Sequence, residues 1–120
     1  MAAGLATLEV LSRPGVWESA ARWAALAAAA MTNAAERAGV PLTVQQVGTM
    51  FTPFFSAEPV RDFAQAKRTD RNAYSNWFHA LLEAGVYMPP SAFEAAFSSS
   101  EHGEAELEVL EVALGSAWPR

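Results

Sequence analysis

Between Glu83 and Glu101 the chain carries a single charge, the carboxylate of Glu94. It lies in the stretch GVYMPPSAFEAAFSSS, residues 85–100, after the consecutive prolines Pro89 and Pro90 and the run Ser91, Ala92, Phe93. Proline fixes φ and removes a backbone donor, so Pro89-Pro90 cannot lie inside a helix or a central strand and must hold the chain extended. A lone carboxylate on a rigid, apolar turn is either a half-exposed turn residue or a placed functional group. In the second role it could bind an ammonium through a charge-assisted hydrogen bond or take part in proton transfer. The residue types alone leave both readings open.

Other chemistry-bearing residues are sparse. Lys67 is the only lysine and therefore the only side chain able to form a Schiff base. A lysine nucleophile needs burial or a cationic neighbour to lower its pKa. Lys67 lies instead in the charged segment DFAQAKRTDR, which predicts a solvated surface residue. The two histidines, His79 and His102, fall on different predicted helices with no carboxylates at ligand spacing, so neither a metal site nor a Ser-His-Asp arrangement is expected. There is no cysteine, which excludes disulfides, thiolate chemistry and Cys-ligated metal and leaves the redox compartment open. Gly48 is isolated, so no glycine-rich phosphate loop is present.

Composition sets the frame for these residues. A chain of 120 residues suits a single domain, 1–120, and its 52% apolar content can fill a core. The net charge of −5 weighs against nucleic-acid binding, which needs clustered Lys and Arg. The N-terminal MAAGLATLEVL has no basic leader, and Ala24 to Met31 is too short and too alanine-rich to span a bilayer. A soluble, cytoplasmic domain with no membrane partner is the expectation. A start directly inside an apolar helix, with no cap before it, is expected of a segment taken from something longer.

Periodicity places the elements. Leu5, Leu8 and Leu11 predict a helix over residues 1–11, and Ser12-Arg13-Pro14-Gly15 breaks it. Trp17, Ala20, Ala24, Ala27, Met31, Ala34 and Ala38 predict a helix over 16–38, ended by Gly39 and Pro41. The small residues from Ala24 to Ala30 could face a core or a docking partner. Residues 43–55, TVQQVGTMFTPFF, predict a hairpin turning at Gly48, with Pro53 at an edge or near a strand end. A short helix over 60–67 follows. Asp70 then caps a helix whose Tyr74, Trp77, Phe78, Leu81 and Leu82 form one apolar stripe, ending at Gly85. Trp17 and Trp23 are expected in the core with Trp77 and Phe78. Short strands are predicted at 86–88 and 95–98. A last helix is capped by Ser100, with Glu101 and Glu104 in its first turn and Leu107, Leu110 and Leu114 on its buried face. SAWPR then reads as a loose tail. Few strands separated by helices predict an α+β fold: a small, mainly antiparallel sheet of three to four strands with helices packed on one face.

The stretch GVYMPPSAFEAAF resembles a segment of the glutamate-1-semialdehyde 2,1-aminomutase family, class III members of the pyridoxal-phosphate aminotransferases, whose usual form is close to GVYLAPSQFEAGF. Three further blocks match in order: AAGLATLEVL at 2–11, VGTMFTPFF at Val47 to Phe55 and WFHALLEAG at Trp77 to Gly85. The resemblance covers essentially the whole chain. Pro89, Ala92 and Ala96 depart from the usual alanine, glutamine and glycine, and Ala92 removes a polar side chain beside Glu94.

The resemblance implies the C-terminal domain of a fold-type I enzyme that works with pyridoxal 5′-phosphate and pyridoxamine 5′-phosphate. The family isomerises glutamate-1-semialdehyde, (S)-4-amino-5-oxopentanoate, to 5-aminolevulinate for porphyrin biosynthesis, as a homodimer. It also implies a role for Glu94 at the substrate amine, with Ser91 and Phe93 flanking it. The family's Schiff-base lysine and its other cofactor contacts lie upstream, in a large domain that none of these 120 residues resembles, so the chain alone is expected to be inactive. Two alternatives stand beside this one: a non-catalytic interaction module of the same fold, and a related class III aminotransferase.

Overall fold

The computed structural model describes residues 1–118. Five helices and three strands follow in order: α1 (Ala2–Leu11), α2 (Val16–Ala38), β1 (Thr43–Val47), β2 (Met50–Phe54), α3 (Phe63–Ala66), α4 (Arg71–Glu83), β3 (Ala96–Phe97) and α5 (Glu104–Leu114). The strands form one antiparallel sheet in the order β1-β2-β3. The α+β expectation holds, with three strands.

The long helix α2 organises the core because its inward positions are small. Ala20, Ala24, Ala27, Met31, Ala34 and Ala35 are buried at helical spacing, and the helix lies against β1, β2 and α5. Methyl side chains let its backbone approach the sheet closely. Ala24 and Ala27 are fully buried inside this chain, whereas Ala25, Leu26 and Ala29 of the same stretch are exposed. Trp17, by contrast, is half exposed. Trp23 is partly buried, its indole N–H donating to the Gly103 carbonyl at 2.9 Å. Only Trp77 and Phe78 of the four expected aromatics are buried.

The hairpin pairs Thr43 with Phe54 and Val47 with Met50 around Gly48-Thr49. Gly48 has φ 56°, and a Cβ there would meet Trp17 Cζ2 at 3.2 Å. Both the left-handed backbone and the close ring call for glycine. Pro53 is fully buried near the end of β2, beyond Met50 and Phe51, which pair with β3. No ladder bond toward β3 is therefore asked of it.

Helix α4 begins where Asp70 Oδ1 accepts from the Asn72 and Ala73 N–H groups at 3.0 and 2.9 Å. Its Tyr74, Trp77, Phe78 and Leu81 are buried against the core, whereas Leu82 is 44% exposed. Complete burial of Trp77 and Leu81 is worth about 1.5–3 kcal/mol each.

Five local expectations are corrected. The helix expected over 60–67 is one turn, Phe63–Ala66, started by the Asp62 carboxylate accepting from the Gln65 N–H. Residues 86–88 form no strand: after the turn at Gly85 the chain joins the sheet only at Ala96 and Phe97, which pair with β2. The strand expected over 95–98 is itself only those two residues. Helix α5 starts at Glu104 and not at Ser100. His102, expected in that helix's first turn, lies before it, with Nδ1 accepting from the Ser99 N–H at 2.9 Å and its ring 4.4 Å from that of Trp23. Gly103 then becomes the cap, its N–H donating to Glu106 Oε2 at 2.8 Å. Last, residues 116–118 are no loose tail: Ala117 is buried, and the Trp118 ring lies 6.1 Å from that of Trp77 and 6.4 Å from that of Phe55. Residues 119 and 120 lie outside the described residues.

Candidate functional site

The segment between α4 and β3 carries Glu94, and three features fix its course. Gly85 takes φ 87°, which lets the Val86 N–H return to the Leu81 carbonyl at 2.8 Å and the Gly85 N–H to that of Leu82 at 3.0 Å. This left-handed stop turns the chain sharply off the helix. Met88 then buries its side chain in the core. Finally, the Tyr74 hydroxyl donates to the Pro89 carbonyl at 2.6 Å. Two prolines, an apolar anchor and a buried hydroxyl leave this strandless stretch few conformations.

Ser91 to Glu94 is a tight turn. The Glu94 N–H donates to the Ser91 carbonyl at 3.1 Å, and the Phe93 N–H donates to Ser91 Oγ at 3.2 Å. Ser91 is thus a support of the turn, its hydroxyl oxygen occupied locally. Phe93 and Glu94 point their side chains outward: Glu94 is exposed, and Phe93 is 44% exposed. The Phe93 ring lies 5.7 Å from that of Phe63, which is itself exposed, and Lys67 Nζ lies 5.2 Å from the Phe63 ring centre. A carboxylate, two neighbouring aromatic rings and the chain's one lysine therefore line up along the surface.

The electrostatics tie this surface to the core. Burial pushes the Tyr74 hydroxyl up to about 12, and the negative charge of Glu94 adds to the shift. Tyr74 therefore stays a neutral donor to Pro89 throughout the ordinary pH range. Chemically, the exposed Glu94 carboxylate can accept hydrogen bonds from an ammonium presented to it, while the Phe93–Phe63 pair offers an apolar wall.

The structure brings Ser91, Phe93 and Glu94 together in one turn, as their adjacency in sequence requires. Sequence reasoning missed Tyr74 and Phe63. Tyr74 had a signal, being the one hydroxyl-bearing residue on the apolar stripe of α4. Phe63 had none, since only the fold brings α3 beside the turn.

Lys67 is exposed at the end of α3, as its charged segment predicts. His79 is exposed, and among the described residues no three His, Cys, Asp or Glu side chains gather as metal ligands. The apolar cavity of about 310 Å³ among α2, β3 and α5, lined by residues such as Phe51, Tyr87, Phe97 and Leu110, does not include the Ser91–Glu94 turn. No helix among the described residues is long and apolar enough to cross a membrane.

No family model matches the chain. Curated proteins do match it, among them two named glutamate-1-semialdehyde 2,1-aminomutase. That of Deinococcus radiodurans is 44% identical over 98% of this chain and 28% of its own length. That of Laribacter hongkongensis is 39% identical over 100% of this chain and 28% of its own. The chain thus spans little more than a quarter of these relatives and matches their C-terminal part. Among solved structures, a transaminase with PLP bound superposes with a TM-score of 0.75 at 24% identity, over 95% of this chain and 25% of that one. A glutamate-1-semialdehyde-aminomutase from Pseudomonas aeruginosa PAO1 also gives 0.75, at 19% identity, over 88% of this chain and 23% of that one. At these identities the structures establish a shared fold, the one expected for the C-terminal domain of such enzymes.

Proposed function

We propose, from its match to the C-terminal part of glutamate-1-semialdehyde 2,1-aminomutase, that this chain is the domain of such an enzyme that closes over the substrate and presents Glu94 to its amine. The reaction is the isomerisation of (S)-4-amino-5-oxopentanoate to 5-aminolevulinate, a step toward tetrapyrroles. Pyridoxal 5′-phosphate and its pyridoxamine form are held by a large domain outside this chain, because the only lysine here is solvent-facing. The complete enzyme is a cytoplasmic homodimer with a small-molecule substrate; neither nucleic acid nor membrane is a partner.

One observation carries the reading: Glu94 is an outward-facing carboxylate on a turn whose stem is tied to the core through the Pro89 carbonyl. A carboxylate held this way can receive an ammonium without first being ordered. A charge-assisted hydrogen bond of this kind contributes about 1.5–3 kcal/mol, or roughly one to two powers of ten in rate if it is made only in the transition state. Phe93, packed against Phe63, excludes water from one side of that contact. Ser91 keeps the turn closed.

The test is complementation. The isolated chain with pyridoxal 5′-phosphate should give no lysine-dependent absorption band. Mixed with the large domain of the Deinococcus radiodurans relative, it should convert glutamate-1-semialdehyde to 5-aminolevulinate. In that mixture Glu94→Ala should lower kcat/KM by about tenfold to a hundredfold. A lysine-dependent band from the chain alone, or unchanged kinetics for Glu94→Ala, would sink the reading.

The exposed Lys67 favours a second reading for the chain in isolation, a non-catalytic module that kept the fold. Complementation separates the two, since such a module leaves the large domain inactive. Intermolecular transfer by a related class III aminotransferase would appear in the same assay as consumption of an external amino acid.

A further inference from the structure

We propose that Tyr74 is the positioning residue of this site: a strut from the core to the Pro89 carbonyl that sets where Glu94 stands. The proposal rests on the reading of Glu94 as the amine-facing carboxylate.

Between Gly85 and Ala96 the chain makes no ladder bonds. Its backbone is held to the rest of the molecule at the start, by the turn at Gly85, and at the end, by the pairing of Ala96 with Phe51. In the middle, the bonds of Ser91, Phe93 and Glu94 are all internal to the turn. They close the turn but do not orient it. The Tyr74 hydroxyl is the bond in this stretch that runs from the turn's stem to the core.

Tyr74 is suited to the task. Its ring is 3% exposed and packs against Phe55 in an edge contact at 6.3 Å and against Trp77 at 5.7 Å. It lies at the start of α4, where its own N–H donates to the Asp70 carbonyl at 3.1 Å. A side chain so enclosed cannot swing, so its hydroxyl is a fixed point. Pro89 accepts from it and cannot rotate about φ, and Pro90 follows with the same restriction. The position of the fixed point therefore passes through two stiff residues to the turn. Glu94 comes back close enough to Tyr74 for its charge to be felt there.

Tyr74→Phe removes the hydroxyl and keeps the ring. In the 120-residue chain, NMR order parameters of the Ala92, Phe93 and Glu94 amides should fall from about 0.85 to below about 0.6, while those of Trp77 and Leu81 stay in the rigid range. A folded variant with unchanged values at Ala92 to Glu94 overturns the proposal.

A second measurement needs no change at Tyr74. In a Tyr87→Phe background, where Tyr74 is the one remaining phenol, Glu94→Gln should move the ionisation of Tyr74 to lower pH. Glu94 is exposed, so this substitution does not threaten the fold. A Tyr74 midpoint that ignores Glu94→Gln overturns the proposal even if Tyr74→Phe does not fold. Neither readout is turnover. Failure here leaves the aminomutase reading standing, and inactivity of the complemented chain leaves the strut standing.

Discussion

Asp70→Ala tests whether the start of α4 governs the stability of the element that carries Tyr74. The Asp70 carboxylate accepts from two otherwise unpaired N–H groups, at 2.9 and 3.0 Å. Removing such a cap costs about 1 kcal/mol, with a range of roughly 0.5–2. The carboxylate also faces the positive end of the helix dipole, worth about 0.3–1 kcal/mol at an exposed site. The Asp70 N–H, which donates to the Phe55 carbonyl at 3.1 Å, is backbone and survives the change. The sum is a loss of about 1.5 kcal/mol for Asp70→Ala. Asp70→Asn keeps an acceptor oxygen and loses only the charge, so it should cost about 0.3–1 kcal/mol. Urea titration followed by circular dichroism reads both as falls in midpoint at an unchanged slope. Equal losses for the two variants would refute the hydrogen-bond share of this reasoning. A loss below about 0.3 kcal/mol for Asp70→Ala would refute the whole of it.

Three further perturbations follow from the structure. Tyr74 is raised in the fold, so its contribution is complete below pH 10 and disappears as pH climbs through its folded value of about 12. Chemical denaturation at increasing alkalinity should show a loss on the order of 2 kcal/mol over that window, and Tyr74→Phe should remove that part of the dependence. Gly48→Ala should destabilise by about 1–3 kcal/mol, since it puts a Cβ at positive φ and 3.2 Å from the Trp17 ring. Gly4→Ala, in α1 with open space around the position, should stabilise by about 0.5–1 kcal/mol. Thermal melts of the pair give opposite signs if the backbone argument is right.

What could be read in the residues was mostly punctuation. Helix α2 runs over its expected residues because Gly15 and Gly39 bracket an uninterrupted helical pattern. The hairpin follows from Gly48, and α4 from Asp70 and Gly85. The misses share one cause, competition for partners that only the fold supplies. Residues 86–88 have strand-forming side chains, yet the edge of β2 is paired with Ala96 and Phe97 instead. Ser100 is a good cap in isolation, yet His102 packs against Trp23 and takes the Ser99 N–H, and the helix is capped at Gly103. Trp118 looks like tail until α4 places Trp77 beside it. Leu5 and Leu8 keep the helical spacing of a buried face and remain 66% exposed, α1 having no buried residue. The site divides the same way. Glu94 could be picked out because charge is scarce around it, whereas Tyr74 was hidden by fitting its stripe, and Phe63 reaches Phe93 across thirty residues of chain.

The aromatic cluster beneath the turn has an optical consequence. Trp77 lies 5.7 Å from Tyr74 and 6.1 Å from Trp118, with Phe55 touching all three rings. Indole emission is quenched by a nearby tyrosinate, whose absorption overlaps it, and is sensitive to the packing of its surroundings. Trp77 is fully enclosed and shares its neighbourhood with the residue whose hydroxyl reaches Pro89. The chain thus carries an intrinsic fluorophore one ring away from the stem of its own candidate site, and any event that shifts or ionises Tyr74 is written into the emission of Trp77 without an added label.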